Sequence, residues 1–146
     1  MHGELITEGP LKGWRRWHAR PIAFADLLGT VAWMPPGEGH GARVGVETGP
    51  QHANLMGKLH GGFLLAFLDF AMIGVMRGAV GTGQPMVTVQ ASMDFLEPGE
   101  VGVVLEADGR VVKETGRLVF VEGMLRQGDR GIARFNGIMR KVRLQA

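Results

Sequence analysis

The chain has 146 residues, 45% of them hydrophobic and 21% charged, with a formal net charge of +2. That is enough for one domain with a proper core and too little for two, so a single domain over residues 1–146 is expected, its first ~20 residues forming an N-terminal extension. The absence of cysteine excludes a disulfide framework, a thiolate nucleophile and a cysteine-based zinc site.

The opening stretch MHGELITEGPLKGWRRWHARP lacks the continuous apolar core of a signal peptide, and a cytoplasmic protein is expected. Trp14-Arg15-Arg16-Trp17, with His18 and Arg20, has the composition of an aromatic-basic patch. A short patch at a terminus is weak ground for nucleic-acid binding, so no nucleic acid is expected. The patch is expected to pack on the domain or to reach the nucleotide part of a ligand, in a segment otherwise disordered by default. Residues 22–28 form a short amphipathic helical turn, and residues 29–34 a strand stopped by Pro35-Pro36-Gly37. Residues 42–48 alternate as a second strand, and Gly49-Pro50 opens the loop GPQHANLMGK, which Asn54 could simply cap or brace.

The segment Leu59 to Met76, LHGGFLLAFLDFAMIGVM, carries one carboxylate, Asp69, in an apolar helix. At 3.6 residues per turn Asp69 shares a stripe with Gly62, Leu65, Ala66, Met72, Ile73 and Met76, where an acid needs a partner, water or a use. A membrane span is disfavoured, because it needs roughly 20 apolar residues and a mid-span Asp costs about 2.5–3.5 kcal/mol. His60-Gly61-Gly62 opens the helix, and the unpaired amides of such an end attract negative or developing negative charge. Gly61 and Gly62 could also merely permit close packing. His60 lacks a second metal-spaced His or acid, so a structural hydrogen-bonding role is preferred for it and no metal is expected.

The helix should fade near residues 78–83, GAVGTG, whose glycines lack the strand-to-helix context of a phosphate loop. After Pro85, MVTVQASMDFLEP, VGVVLEADGRVVKE, RLVFVEGMLRQ and GIARFNGIMRKV read as strands separated by Pro98-Gly99, Thr115-Gly116 and Gly128-Asp129. The expectation is two strands, one long buried helix and a four-strand antiparallel meander: an α+β domain with its antiparallel sheet wrapped around the helix.

The order of elements and the string Asn54-x5-His60-Gly61-Gly62-x6-Asp69 resemble the hotdog-fold acyl-CoA thioesterases of the phenylacetate-pathway type, from about Phe24 to Arg140. The resemblance implies hydrolysis of an acyl-CoA thioester to a carboxylic acid and free coenzyme A, the latter being part of the substrate, with no cofactor. It further implies that Gly61 offers its backbone N–H to the thioester carbonyl and that Asp69, from the neighbouring subunit, is general base or nucleophile. Asn54 would hold or polarise the reaction centre, and Thr88 would orient the attacking water. A fixed N–H at a helix start suits an oxyanion, and a desolvated carboxylate suits a base near neutral pH. His60 and Asp69 lie about 13 Å apart along an ideal helix, so two antiparallel copies would have to share a site; a homodimer is expected, and members of the family often pair dimers into tetramers.

Coenzyme A carries phosphates, and Lys58, Lys113 and Arg117 are candidates to meet them, although a solvated hairpin end is an equally good account. Gly62 belongs with the substrate-binding set, and Phe63, Phe67, Met72 and Met76 suggest an apolar acyl cavity for aryl or medium aliphatic chains. Two alternatives remain open: a non-catalytic acyl or acyl-CoA binding module, and a related reaction such as enoyl-CoA hydration.

Overall fold

The structure, a computed structural model, describes residues 3–17, 23–80 and 84–142. In chain order the elements are β1 (Arg15–Arg16), α1 (Ala23–Leu27), β2 (Val31–Met34), β3 (Arg43–Val46), a 3-10 turn (Pro50–His52), α2 (Gly61–Val80), β4 (Met86–Phe95), β5 (Leu105–Glu114), β6 (Leu118–Gln127) and β7 (Arg130–Lys141). The strands form one seven-stranded sheet in the order β1-β2-β3-β5-β6-β7-β4, antiparallel at every pairing.

Two expectations are corrected. The meander covers only β5, β6 and β7, because β4 pairs with β7 at the far edge of the sheet instead of with β5. Pro98-Gly99 therefore belongs to a crossover, residues 96–104, and not to a hairpin. The extension is also ordered where it is described: Leu11, Trp14 and Trp17 are buried, and β1 pairs with β2. Leu11 and Trp14 form a small second cluster with Ala32 on the face of the sheet turned away from α2. Glycine at position 45 makes room for them, since a Cβ there would lie 3.0 Å from both side chains. Of the expected aromatic-basic patch, His18 and Arg20 lie outside the described residues.

The main core lies between α2 and the sheet. Phe67, Leu68, Ala71, Met72, Val75 and Met76 from the helix meet Val44, Val46, Leu105, Ala107, Val121, Leu125, Ile132 and Met139. Each buried large aliphatic or aromatic side chain stabilises the fold by about 1.5–3 kcal/mol. The helix can approach this closely because glycines face it. A Cβ at Gly137 would sit 2.1 Å from Met72 Sδ, and a Cβ on Gly74 in the helix would sit 2.1 Å from Val44 Cγ2. These contacts fix the axial position of α2 on the sheet, and so fix where its N-terminus and Asp69 emerge.

One flank of α2 stays uncovered in the single chain. Gly62, Leu65 and Asp69 are exposed, beside an edge strand, β4, whose Val87, Val89 and Phe95 are exposed as well. A ten-residue edge with apolar side chains on view is a pairing surface that folded proteins normally cover or charge.

Candidate active site

The loop of residues 49–60 delivers the chain to the start of α2. Asn54 organises its turn: Asn54 Oδ1 accepts from the amides of Met56 at 2.9 Å and Lys58 at 3.1 Å, while the Asn54 amide donates to Lys58 O at 2.7 Å. Gly57 takes φ +73 in this turn, a conformation that favours glycine. The carbonyl of the Asn54 side chain is thus committed to the backbone, and its NH2 group is what remains to act on a ligand.

His60 occupies the N-cap of α2. Its Nδ1 accepts from the Gly62 amide at 2.9 Å, so the neutral ring carries its proton on Nε2. Position 62 suits glycine because a Cβ would lie 3.0 Å from that same Nδ1. The cap consumes the Gly62 N–H and leaves the Gly61 N–H, at the first helical position, without an acceptor among the described residues. The Phe95 ring packs beside Gly61, 3.5 Å from where a Cβ would be.

Asp69 lies eight residues farther along α2, about 12 Å away. There the Thr88 hydroxyl donates to Asp69 Oδ1 at 2.5 Å. Thr88 sits beside an irregularity in the β4–β7 register, between Thr88 and Gln90, of the kind that re-aims a side chain next to a functional group. The expected desolvation of Asp69 is not met within one chain, since the carboxylate is exposed. On its stripe Met72 and Met76 are buried and Ala66 and Ile73 pack partly on the core, whereas Gly62 and Leu65 are exposed like Asp69.

The candidate residues therefore form two groups at opposite ends of β4. Asn54, Lys58, His60, Gly61 and Gly62 gather near Phe95, and Asp69 and Thr88 gather at the strand's beginning. Lys113 and Arg117 belong to the second end by register, because the β5–β6 hairpin, the last residues of β7 and Thr88 line up across the sheet. Both side chains are free of ion pairs among the described residues. Lys58 is not free: its Nζ donates to both carboxylate oxygens of Glu100, at 2.6 and 2.8 Å. That hydrogen bond, aided by the fields of Lys58 and Arg130, holds the Glu100 carboxyl below the ordinary range despite the opposing effect of burial.

Phe63, Phe67, Met72 and Met76 do not line an open cavity of this chain; they are buried in the main core. Leu55 and Met56 on the loop are by contrast almost fully exposed, at 108% and 81%. A groove of about 850 Å³ lies on the other face of the sheet, lined by ion pairs such as Arg126 with Asp108 and Arg134 with Asp94, and contains none of the candidate residues. Two residues absent from the sequence-based candidates are the buried polar side chains His52 and Gln127. His52 was hidden in a loop read for its turns, and Gln127 at the end of an ordinary strand pattern.

One long helix laid across a curved antiparallel sheet, with a bare amide at its start and a lone acid midway, defines a hotdog-fold α+β domain. Residues 56–133 match the thioesterase superfamily, and the chain belongs to that family. It is accordingly a thioester hydrolase. The chain is 34% identical over 95 residues to the "Putative esterase PA0474" of Pseudomonas aeruginosa, covering 65% of this chain and 71% of that protein. It superposes on the PaaI protein of the Escherichia coli phenylacetic acid degradation operon with a TM-score of 0.71 and 25% identity, over 84% of this chain and 86% of that one. A mutant of the phenylacetic acid degradation protein PaaI from Thermus thermophilus gives 0.69 and 26%, over 83% and 100%.

Proposed function

We propose that the protein hydrolyses acyl-CoA thioesters in a site shared by two copies of the chain, with Gly61 N–H from one copy and Asp69 from the other. The observation that carries this reading is the separation of the two groups on one helix, together with the bare edge between them. Strand β4 runs from Thr88, beside Asp69, to Phe95, beside Gly61. Antiparallel pairing of two β4 edges about a twofold axis near Ser92 brings the Thr88 end of each toward the Phe95 end of the other. The same pairing covers Val87, Val89 and Leu65 and withdraws Asp69 from water, which strengthens it as a base.

In the proposed reaction the thioester carbonyl oxygen lies on the Gly61 N–H. Asp69 takes a proton from water through the oxygen that Thr88 leaves open, and the Thr88 hydroxyl, donating to Asp69, accepts a hydrogen bond from that water. The water oxygen bonds to the carbonyl carbon, the oxyanion forms against the helix N-terminus, and the C–S bond then breaks. The thiolate of coenzyme A leaves with the proton that Asp69 held, and the acyl group departs as its acid. Direct attack by Asp69, through an anhydride that water then opens, uses the same geometry. Lys113 and Arg117 lie at the Asp69 end, where their charges suit the phosphates of the substrate. The acyl group would enter among apolar residues such as Leu55 and Met56, and PaaI-type relatives make aryl acids a natural first choice. No helix among the described residues is long and apolar enough to cross a membrane, in keeping with a proposed cytoplasmic location.

The test is thiol release from phenylacetyl-, benzoyl-, short- and medium-chain acyl-CoAs, with wild type beside Asp69→Ala. Activity that disappears in the variant supports the reading. Saturable binding without turnover, unchanged by Asp69→Asn, would replace it with a binding module.

A further inference from the structure

We infer that His52 is a positioning residue for the Gly61 amide, a bolt that sets the start of α2 from inside the preceding loop; this rests on the role proposed for Gly61. Among the described residues the polar side chains that are buried are His52, 4% exposed, and Gln127, 5% exposed, and both act on the segment that delivers the helix.

His52 makes its connections with ring and backbone together. Its Nδ1 accepts from the Gly49 amide at 2.9 Å, which anchors the beginning of the loop. Its carbonyl accepts from the His60 amide at 2.8 Å, one residue before Gly61. Its ring stacks on Phe63, in the first turn of α2, with centroids 4.0 Å apart and planes 22° from parallel. The Leu28-Gly29 turn packs on its other side, where a Gly29 Cβ would lie 3.8 Å from His52 Cε1. One side chain thus spans the first residue of the loop and the first turn of the helix, and one carbonyl fixes the residue that caps it.

The ring is suited to one protonation state. With Nδ1 accepting, the proton of the neutral ring sits on the buried Nε2; the Leu28 backbone is close to the ring, but no group meets Nε2 at full hydrogen-bond geometry among the described residues. A purely apolar plug could fill the same volume and stack on Phe63, yet it would leave the half-buried Gly49 amide without its acceptor. Gln127 braces the loop from outside. Its NH2 donates to Glu100 O at 2.8 Å and Val103 O at 3.1 Å, and its carbonyl accepts from the Glu100 amide at 2.7 Å. Glu100 then holds Lys58, and Gly99 O accepts from the Leu59 amide at 2.9 Å. The outer brace sets the position of the loop end, and His52 couples that end to the helix turn carrying Gly61.

The test compares His52→Phe, which keeps the ring and stack but loses the acceptor, with His52→Asn, whose amide oxygen replaces Nδ1. The readouts are kcat and KM for the best acyl-CoA, and amide hydrogen exchange of His60, whose N–H is bonded to the His52 carbonyl, in the free protein. For His52→Phe, kcat should fall roughly 10- to 100-fold with little change in KM, the scale expected for a small misplacement of a catalytic group. Exchange at His60 should quicken, and His52→Asn should recover most of the lost kcat and of the protection. If His52→Phe does not fold, His52→Gln, which keeps a donor near Nε2 and has no acceptor at Nδ1, takes its place in the comparison. Wild-type kcat and unchanged exchange in the acceptor-less variant would overturn the inference. A wild-type protein that releases no thiol would instead defeat the thioesterase reading, and the exchange data would still decide the role of His52.

Discussion

The Thr88 hydroxyl donates a hydrogen bond of 2.5 Å to Asp69 Oδ1, joining the edge strand to the middle of the central helix. This bond fixes the rotamer of the acid and leaves its second oxygen for water. Thr88→Ser retains the donor and should keep most activity. Thr88→Ala should lower kcat about 10- to 100-fold while KM changes little, because orientation of the base matters most in the transition state. Steady-state kinetics on the pair of variants checks this. Equal losses in both would assign Thr88 to packing.

The Gly61 amide can be removed without disturbing the helix. Proline is well tolerated at the first helical position, where its missing N–H breaks no intrahelical bond, and the N-cap residue before it already favours extended backbone. Gly61→Pro should therefore fold, with an unchanged far-ultraviolet circular dichroism spectrum, and lose about 100- to 1,000-fold in kcat, the usual cost of one oxyanion donor. Gly61→Ala keeps the N–H, and its Cβ meets Phe95 at an ordinary 3.5 Å, so it should retain far more activity than the proline variant. Comparable losses in the two would exclude the amide as the donor.

Burial lowers the pKa of His52 from its ordinary value of 6.5, partly offset by the nearby Leu28 backbone. The unfolded imidazole accepts a proton near 6.5 while the folded one resists, so just below that pH the unfolded state binds more protons. Stability from this group is full above pH 6.5 and declines as pH falls through that value toward the lower folded pKa. Denaturant unfolding at pH 7.5, 6.5 and 5.5 should show the decline, and His52→Asn should flatten it. Glu100 acts in a separate, more acidic window: its carboxyl is held below 4.5, so its contribution persists above that value and fades only as pH drops through the lower folded pKa. A His52→Asn protein with the wild-type slope between pH 7.5 and 5.5 would remove His52 as its source.

Much of this architecture was readable because local patterns agree with the fold. The Asp69 helix, the strand alternation and the hairpin signals Thr115-Gly116 and Gly128-Asp129 all rest on short-range chemistry. The position of β4 was not readable, since Pro98-Gly99 marks an interruption without saying whether the chain turns back or crosses the sheet. Trp14 and Trp17 were legible as apolar and basic neighbours, but their docking depends on Gly45 and Gly74 making room from distant parts of the chain. His52 was missed for a related reason: its partners Gly49 and His60 are close in sequence, whereas the burial that gives them weight comes from Leu28 and Phe63.

The sharing of the site between copies can be read by complementation. In a twofold dimer of Asp69→Ala with Gly61→Pro, one site receives Gly61 from the first chain and Asp69 from the second, and the other site receives both lesions. Random reassortment of equal amounts makes half the dimers mixed, each with one intact site, so activity should return to about one quarter of the wild-type value per chain. Each variant alone should remain nearly silent. If instead both groups served a carbonyl within one chain, no mixture could exceed the sum of the separate variants. Val89→Lys, placed on the exposed edge of β4, supplies the matching control: a charge there should disfavour edge pairing, yield monomers in sedimentation velocity and abolish turnover together with assembly. Rescue in the mixture with Val89→Lys still dimeric and active would contradict the β4 interface while leaving a shared site intact, whereas no rescue from demonstrably mixed dimers, or active Val89→Lys monomers, would place the whole reaction within a single subunit.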